Sequence, residues 1–322
     1  MLFLRGQVPT DRPKEQIMFH RLQDCDDVWS QLGAELSKDG YGEIWYWGGK
    51  RKVQYRNNLM ERWIPSFSSS KPKFEPTLIF ARGGFPQYDT ILNRYPKAFK
   101  IYYGAGKRFL PKSSFKKYNL ILVDTHKQLE KARKLFPEIR SELFIKPAAD
   151  NVFAPAESDK EYDVIFCSNE HKSGIKGHNF ILPALPNGIK MIQLGIVSSK
   201  LRSKYSNVKF TKWIPRRKIP GYYGKSKVAV ICCSNVDSCP RIIPEALACN
   251  CPILVLDTVN VWREKYITPM TGRTSNREHF IDNLRIMIRD YQKFSPYDYY
   301  KNNLSLKVSA DYIHALIRGE KL

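Results

Sequence analysis

The chain has 322 residues, with 53 Lys and Arg against 31 Asp and Glu, so its formal net charge is +22. A hydrophobic share of 43% with 13% aromatics excludes a disordered tail protein, and short apolar runs throughout exclude a coiled coil. At roughly 150 residues per domain, the length suits two buried cores.

Apolar, β-rich runs alternate with helical periodicity, the pattern of parallel α/β layers. In the first half the runs predict strands at Leu2–Leu4, Glu43–Trp47, Thr77–Ala81, Phe99–Tyr103, Leu120–Val123 and Leu143–Ile145. Helices are predicted over Asp26–Ser37, where Val28, Leu32 and Leu36 share a face, and over Thr125–Phe136. The prolines and serines of Arg62–Pro76 predict a loop. The pattern breaks at Lys146–Asp159, and a linker is expected there. It restarts with strands at Asp163–Cys167, Lys190–Leu194, Val208–Thr211, Val228–Cys233 and Ile253–Leu256. Helices are expected near Gly177–Leu185, near Pro215–Lys225, from about Pro244, over Asn276–Tyr291 and over Tyr297–Arg318. The expected division is 1–148, 149–295 and a C-terminal helical segment 296–322 that returns toward the first domain.

No apolar stretch approaches the roughly 18 residues a membrane span needs, and Met1–Gly6 is too short for the core of a signal peptide, so a cytoplasmic protein is expected. Seven cysteines without a CxxC pair read as reduced, buried thiols rather than a zinc site. The charge excess is spread evenly. Residues 1–150 hold 27 basic and 16 acidic side chains, the remainder 26 and 15. Window 90–123 carries eight Lys or Arg and no acid, and 171–236 carries thirteen and none. Ordinary solvated faces would account for single lysines; windows this long and one-signed point to a polyanion-facing surface, nucleic acid or anionic membrane.

Ligands of open parallel sheets bind beyond the carboxyl ends of the strands. Four post-strand loops carry Gly with nearby cations: Gly6, Arg82-Gly83-Gly84, Gly104–Arg108 and Ser168–Gly177. None matches the Walker pattern, and each alone is a weak signal. The strongest local signal is Asp237-Ser238-Cys239-Pro240-Arg241-Ile242-Ile243-Pro244-Glu245-Ala246-Leu247-Ala248-Cys249-Asn250-Cys251-Pro252. Pro244 sets a helix start beside it with Glu245 in the first turn, and Asn250 can take the left-handed closing position before Pro252. The run Ser238–Ile243 then offers N–H groups to an anion, flanked by the carboxylates of Asp237 and Glu245.

This segment resembles the hallmark of the retaining GT-B glycosyltransferases often called family 4: an acid, seven intervening residues, then Glu-Ala-Met/Leu-Ala-Cys-Gly-x-Pro. Here the first acid is Asp237 and Asn250 replaces the usual Gly. Pro147–Pro155 is similar to the family's linker, and Lys176-Gly177 to its Lys-Gly after the first donor-domain strand. The resemblance covers roughly residues 120–295 and reaches 1–119 only as architecture. It implies a GT-B α/β fold, two doubly wound Rossmann-like domains facing each other across a cleft. It implies donor binding by Glu245 (ribose hydroxyls), Lys176, Arg241 and Ile242 (diphosphate and hexose), with Asp237 beside the transferred sugar. Gly6 joins the donor side, and Lys107, Arg108 and Arg82 the acceptor side. The family's usual Arg shortly before Lys176 is absent, leaving Arg241 or Lys172 to compensate, and Tyr102-Tyr103-Gly104 stands where a His is frequent.

No Asp-x-Asp metal motif follows a strand, so neither a metal nor a bound cofactor is expected, with the nucleotide sugar as co-substrate. The charge favours a polyanionic acceptor, a hydroxymethylated or already glycosylated base in DNA, and the expected enzyme is a monomer. Three alternatives stay open. A lipid-linked or surface-glycan acceptor at an anionic membrane would fit the charge. A sugar-phosphate epimerase would share the architecture, and a non-catalytic nucleic-acid-binding protein would explain the charge but not the motif.

Overall fold

The structure is a computed structural model that describes residues 1–5, 28–38, 42–47, 52–56, 59–64, 70–83, 86, 88–104, 115–234 and 239–320. Two compact units result: Met1–Ile145 with Leu306–Leu322, and Lys146–Ser305. No helix among the described residues is long and apolar enough to cross a membrane.

The first unit contains an eight-stranded sheet. Its strands are β1 (Leu2–Arg5), β2 (Gly42–Trp47), β3 (Lys52–Arg56), β4 (Leu59–Ile64), β5 (Leu78–Arg82), β6 (Phe99–Gly104), β7 (Leu120–Val123) and β8 (Arg140–Leu143), in spatial order β3-β4-β2-β1-β5-β6-β7-β8. All neighbours pair in parallel except the β3–β4 hairpin. The interior strands β5 and β7 are apolar and buried along nearly their whole length, as strands covered on both faces require. Between strands lie α1 (Val28–Leu36), α2 (Tyr88–Arg94) and α3 (His126–Leu135). Thr125 caps α3, its hydroxyl accepting from the Gln128 N–H.

Three expectations are corrected here. The loop expected over Arg62–Pro76 begins later, because Arg62–Ile64 complete β4. β3, β4 and α2 were not expected; β3 carries Lys52, Gln54 and Arg56, charge and polarity that an edge strand tolerates and that hide its periodicity. β8 lies at Arg140–Leu143 rather than Leu143–Ile145. Its alternating burial, with Ser141 and Leu143 inward, is weaker in sequence than the apolar Leu143-Phe144-Ile145 run just after it.

The second unit holds a six-stranded, fully parallel sheet: β9 (Tyr162–Cys167), β10 (Met191–Leu194), β11 (Val208–Phe210), β12 (Ser226–Ile231), β13 (Ile253–Leu256) and β14 (Gly272–Ser275). Its helices are α4 (His178–Ala184), α5 (Ser199–Lys204), α6 (Ile219–Gly224), α7 (Ile242–Ala248), α8 (Arg263–Tyr266), α9 (Phe280–Asp290) and α10 (Pro296–Asn303). Phe280, Leu284 and Met287 form the buried stripe of α9. α5, α8 and β14 were not expected, being short and polar, and β12 starts two residues before the expected strand.

The single helix expected over Tyr297–Arg318 is two, α10 and α11 (Leu306–Ile317). Leu304, buried between them, closes α10. α10 packs on α7, whereas α11 packs on α1 in the first unit. There the Ser309 hydroxyl donates to the Ile145 carbonyl at 2.7 Å, and Arg140 donates to the carbonyls of Leu316 and Glu320 at the end of α11.

Candidate functional site

The order of the second sheet is β11-β10-β9-β12-β13-β14, which in chain terms is 3-2-1-4-5-6. The direction of winding reverses between β9 and β12, so the loops leaving those two strands diverge and open a crevice at their carboxyl ends. The loop after β9 carries Lys176 and Gly177; the loop after β12 runs from Cys232 toward α7. They touch: the Ser234 N–H donates to the Ile175 carbonyl at 2.8 Å. Gly177 has φ of 86°, and a Cβ there would lie 2.3 Å from the Cys232 carbonyl oxygen. Only glycine permits that backbone conformation together with that approach. A cavity of about 360 Å³ opens beside this contact, lined in part by Gly174, Gly177, Cys232, Ser234, Thr258 and Arg277. Lys176 is half-buried on the loop that borders it.

Asp237 lies outside the described residues. The chain re-enters at Cys239, which adopts a left-handed φ of 41°. That conformation costs a non-glycine residue roughly 1–2 kcal/mol; two bonds hold Cys239 in it, and a third anchors Lys146, the donor of one of them. The Cys239 N–H donates to the Asn260 carbonyl at 2.7 Å, the Lys146 ammonium donates to the Cys239 carbonyl at 2.8 Å, and the Lys146 N–H donates to the Tyr266 hydroxyl at 2.6 Å. Arg241, exposed, is the N-cap of α7, and Ile242 is its first residue. The helix therefore starts two residues before Pro244. Pro244 still fits, because the first-turn N–H groups have no intrahelical acceptor to lose.

Glu245 falls in the first turn of α7, as expected, and only 7% of it is exposed. Its Oε1 accepts from Arg216 Nη2 at 2.8 Å, and the Arg216 guanidinium stacks on the ring of the buried Phe153 at 5.1 Å. A buried carboxylate needs such a partner, since an unpaired charge there would cost several kcal/mol. Sequence reasoning missed Arg216: it lies 29 residues from Glu245 with no spacing to connect them. Asn250 takes the left-handed position, with φ of 55°. The Cys251 N–H donates to the Ala246 carbonyl and the Asn250 N–H to the Leu247 carbonyl, the Schellman closure of α7. Burial pushes the nearby Cys167 thiol up to about 12, with the Glu245 charge adding to the shift, and raises Cys249 as well. Both are neutral packing groups at pH 7, and Cys167, Cys232, Cys233, Cys239, Cys249 and Cys251 are all free.

In the first unit, Gly6, Lys107 and Arg108 lie outside the described residues. Arg82 ends β5. Tyr102 and Tyr103, at the position of the family's frequent His, are both buried, and the Tyr103 hydroxyl donates to Asp124 Oδ1 at 2.7 Å.

No protein-family model matches the sequence, and no curated protein matches it. Solved structures do share its architecture from end to end. A sucrose-phosphate synthase from Thermosynechococcus elongatus superposes with a TM-score of 0.69 at 11% identity, covering 99% of this chain and 98% of its own. A glycosyltransferase from Rickettsia africae gives 0.70 at 13% identity, with 99% and 97% covered. Anabaena HepE, solved in complex with UDP, gives 0.64 at 12% identity, with 99% of both chains covered. The fold is GT-B. At these identities the likeness establishes the architecture, two α/β units each with a parallel or mostly parallel sheet.

Proposed function

We propose that the protein is a nucleotide-sugar-dependent glycosyltransferase that transfers its sugar with retention of anomeric configuration. The observation that carries this reading is the meeting of the Lys176–Gly177 loop with the loop leading to Glu245, at the winding reversal of the second sheet. Cleaving a sugar–phosphate bond develops positive charge at the anomeric carbon and negative charge on the departing diphosphate. Lys176 and Arg241 offset the second, with the Ile242 N–H donating to the same group. Glu245 accepts from the ribose hydroxyls, and Asp237 stabilises the developing cation from beside the transferred sugar. Arg216 orients the Glu245 carboxylate toward the ribose.

Because HepE was solved with UDP, the first donors to test are UDP-sugars. A panel of nucleotide sugars is incubated with the protein, and release of nucleoside diphosphate is followed alongside the anomeric proton coupling of the product. Diphosphate release with an unchanged anomeric configuration is expected. An inverted product removes the retaining assignment, and a panel in which no nucleotide sugar is bound or cleaved removes the enzyme.

The acceptor we propose is a hydroxymethylated or already glycosylated base in DNA, modified in the cytoplasm. The charge of +22 and the acid-free windows 90–123 and 171–236 support a polyanion. A base within a duplex must leave the stack to meet the donor sugar. Duplex binding without donor should weaken linearly in log affinity with log salt, with a slope of about −0.9 per phosphate neutralised. Binding to anionic vesicles with no salt-sensitive binding to DNA at low ionic strength would reassign the acceptor to a membrane-borne lipid or glycan.

A further inference from the structure

We propose that Arg82, held against Trp29, is a preformed site for a phosphate group carried by the acceptor. The first sheet also reverses its winding, between β1 and β5, and the two strands pair with Arg5 in register with Arg82. Arg82 thus ends its strand at the winding reversal, where open parallel sheets take ligands. The Arg82 guanidinium lies 5.0 Å from the Trp29 ring. Trp29 is itself fixed, 2% exposed, stacked on Phe144 at 5.9 Å and against Tyr103 at 5.0 Å.

Arg82 Nε is buried and has no hydrogen-bond partner. Among the described residues no carboxylate pairs with Arg82; Asp124, just past the end of β7, is fully buried and accepts the Tyr103 hydroxyl. A half-buried guanidinium with an N–H lacking an acceptor is costly, and an incoming oxyanion recovers that cost. The Nε–H and one Nη–H share an edge of the planar group, the fork that binds a phosphate through two parallel bonds. The indole holds the guanidinium in place in advance, so less freedom is lost on binding. The basic window 90–123, which begins within α2 just after this strand, favours a phosphate-bearing ligand over a neutral one. That phosphate belongs either to a polynucleotide backbone or to a sugar phosphate.

The reading of the protein as a glycosyltransferase enters only in calling the ligand an acceptor, and the test separates the two. Glucose 6-phosphate and a short DNA duplex are each titrated into the wild-type protein, Arg82→Gln and Arg82→Lys, with UDP titrated into the wild type alone. Arg82→Gln should weaken one probe by roughly ten- to hundredfold. Arg82→Lys should recover little, because an ammonium supplies neither the stack nor the fork. Loss confined to glucose 6-phosphate identifies a sugar-phosphate acceptor; loss for the duplex, with its salt slope reduced by about 0.9, identifies a polynucleotide. A second measurement needs no variant: in the wild-type protein the bound probe should slow modification of Arg82 by phenylglyoxal, read by peptide mapping. The site is overturned if neither probe binds, if both substitutions leave both affinities unchanged, or if the probe fails to protect Arg82. Arg82-dependent phosphate binding in a protein that ignores UDP would leave this site standing and remove the donor assignment.

Discussion

Asp237→Ala should lower turnover by about 10²–10³-fold with little change in donor affinity, whereas Glu245→Ala should weaken donor binding at least about tenfold and change turnover less. The asymmetry follows from when each contact forms. A ribose contact is made equally in the ground and transition states, so its loss appears in binding; charge beside the anomeric carbon matters most as the sugar–phosphate bond breaks. Removing the Glu245 carboxylate also takes from Arg216 the acceptor it donates to at 2.8 Å, on a side chain that is only 20% exposed. Glu245→Ala should therefore lower thermal stability too, and Glu245→Gln, whose amide oxygen can still accept from Arg216, separates the two effects. Donor titration and single-turnover rates on all three proteins make the comparison. Equal losses of donor affinity in Asp237→Ala and Glu245→Ala, with turnover intact in both, would reverse the assignment.

Gly177→Ala should destabilise the second unit by about 2–4 kcal/mol and abolish donor binding, through a backbone collision rather than any lost side-chain chemistry. The added Cβ meets the Cys232 carbonyl oxygen at 2.3 Å and the Cys232 carbonyl carbon at 2.7 Å, neither of which is a flexible side-chain end. Relief requires the loops after β9 and β12 to separate, and with them Lys176 from the stretch leading to Glu245. Gly188 supplies the control. It has a similar φ of 90° but nothing within 4 Å of its would-be Cβ. Gly188→Ala should cost only the left-handed backbone term, about 1–2 kcal/mol, and leave donor binding alone. Urea unfolding of the two variants reads the difference; equal midpoints would show that the loops yield without cost.

Much of the layer pattern was legible because buried parallel strands are short apolar runs. β7 and β13 match their expected bounds, and both are buried at every position. The elements that escaped notice are those whose stability comes from outside the local chain. The edge strand β3 mixes charge into its pairing, α5 buries no residue at all, and β8 is placed by its register with β7 rather than by its own apolarity. In α7, local chemistry sufficed for the closure at Asn250, since a left-handed residue followed by Pro252 stops a helix without tertiary help. It misplaced the start by two residues, because Pro244 is compatible with any of the first-turn positions.

The sequence by itself determined that the chain builds two α/β units and that Asp237–Pro252 is the segment to watch, because strand periodicity and helix-end chemistry act over fewer than about ten residues. Tertiary structure alone decided the strand orders, and with them every long-range partnership of the candidate sites. Gly177 must be glycine because Cys232 arrives from a different strand, Glu245 is charged in a buried place because Arg216 and Phe153 converge on it, and Arg82 is held by a tryptophan 53 positions earlier. The physical reason is common to all three. Close approach and charge pairing depend on distance in space, and the winding of a sheet brings together residues whose separation along the chain follows no period.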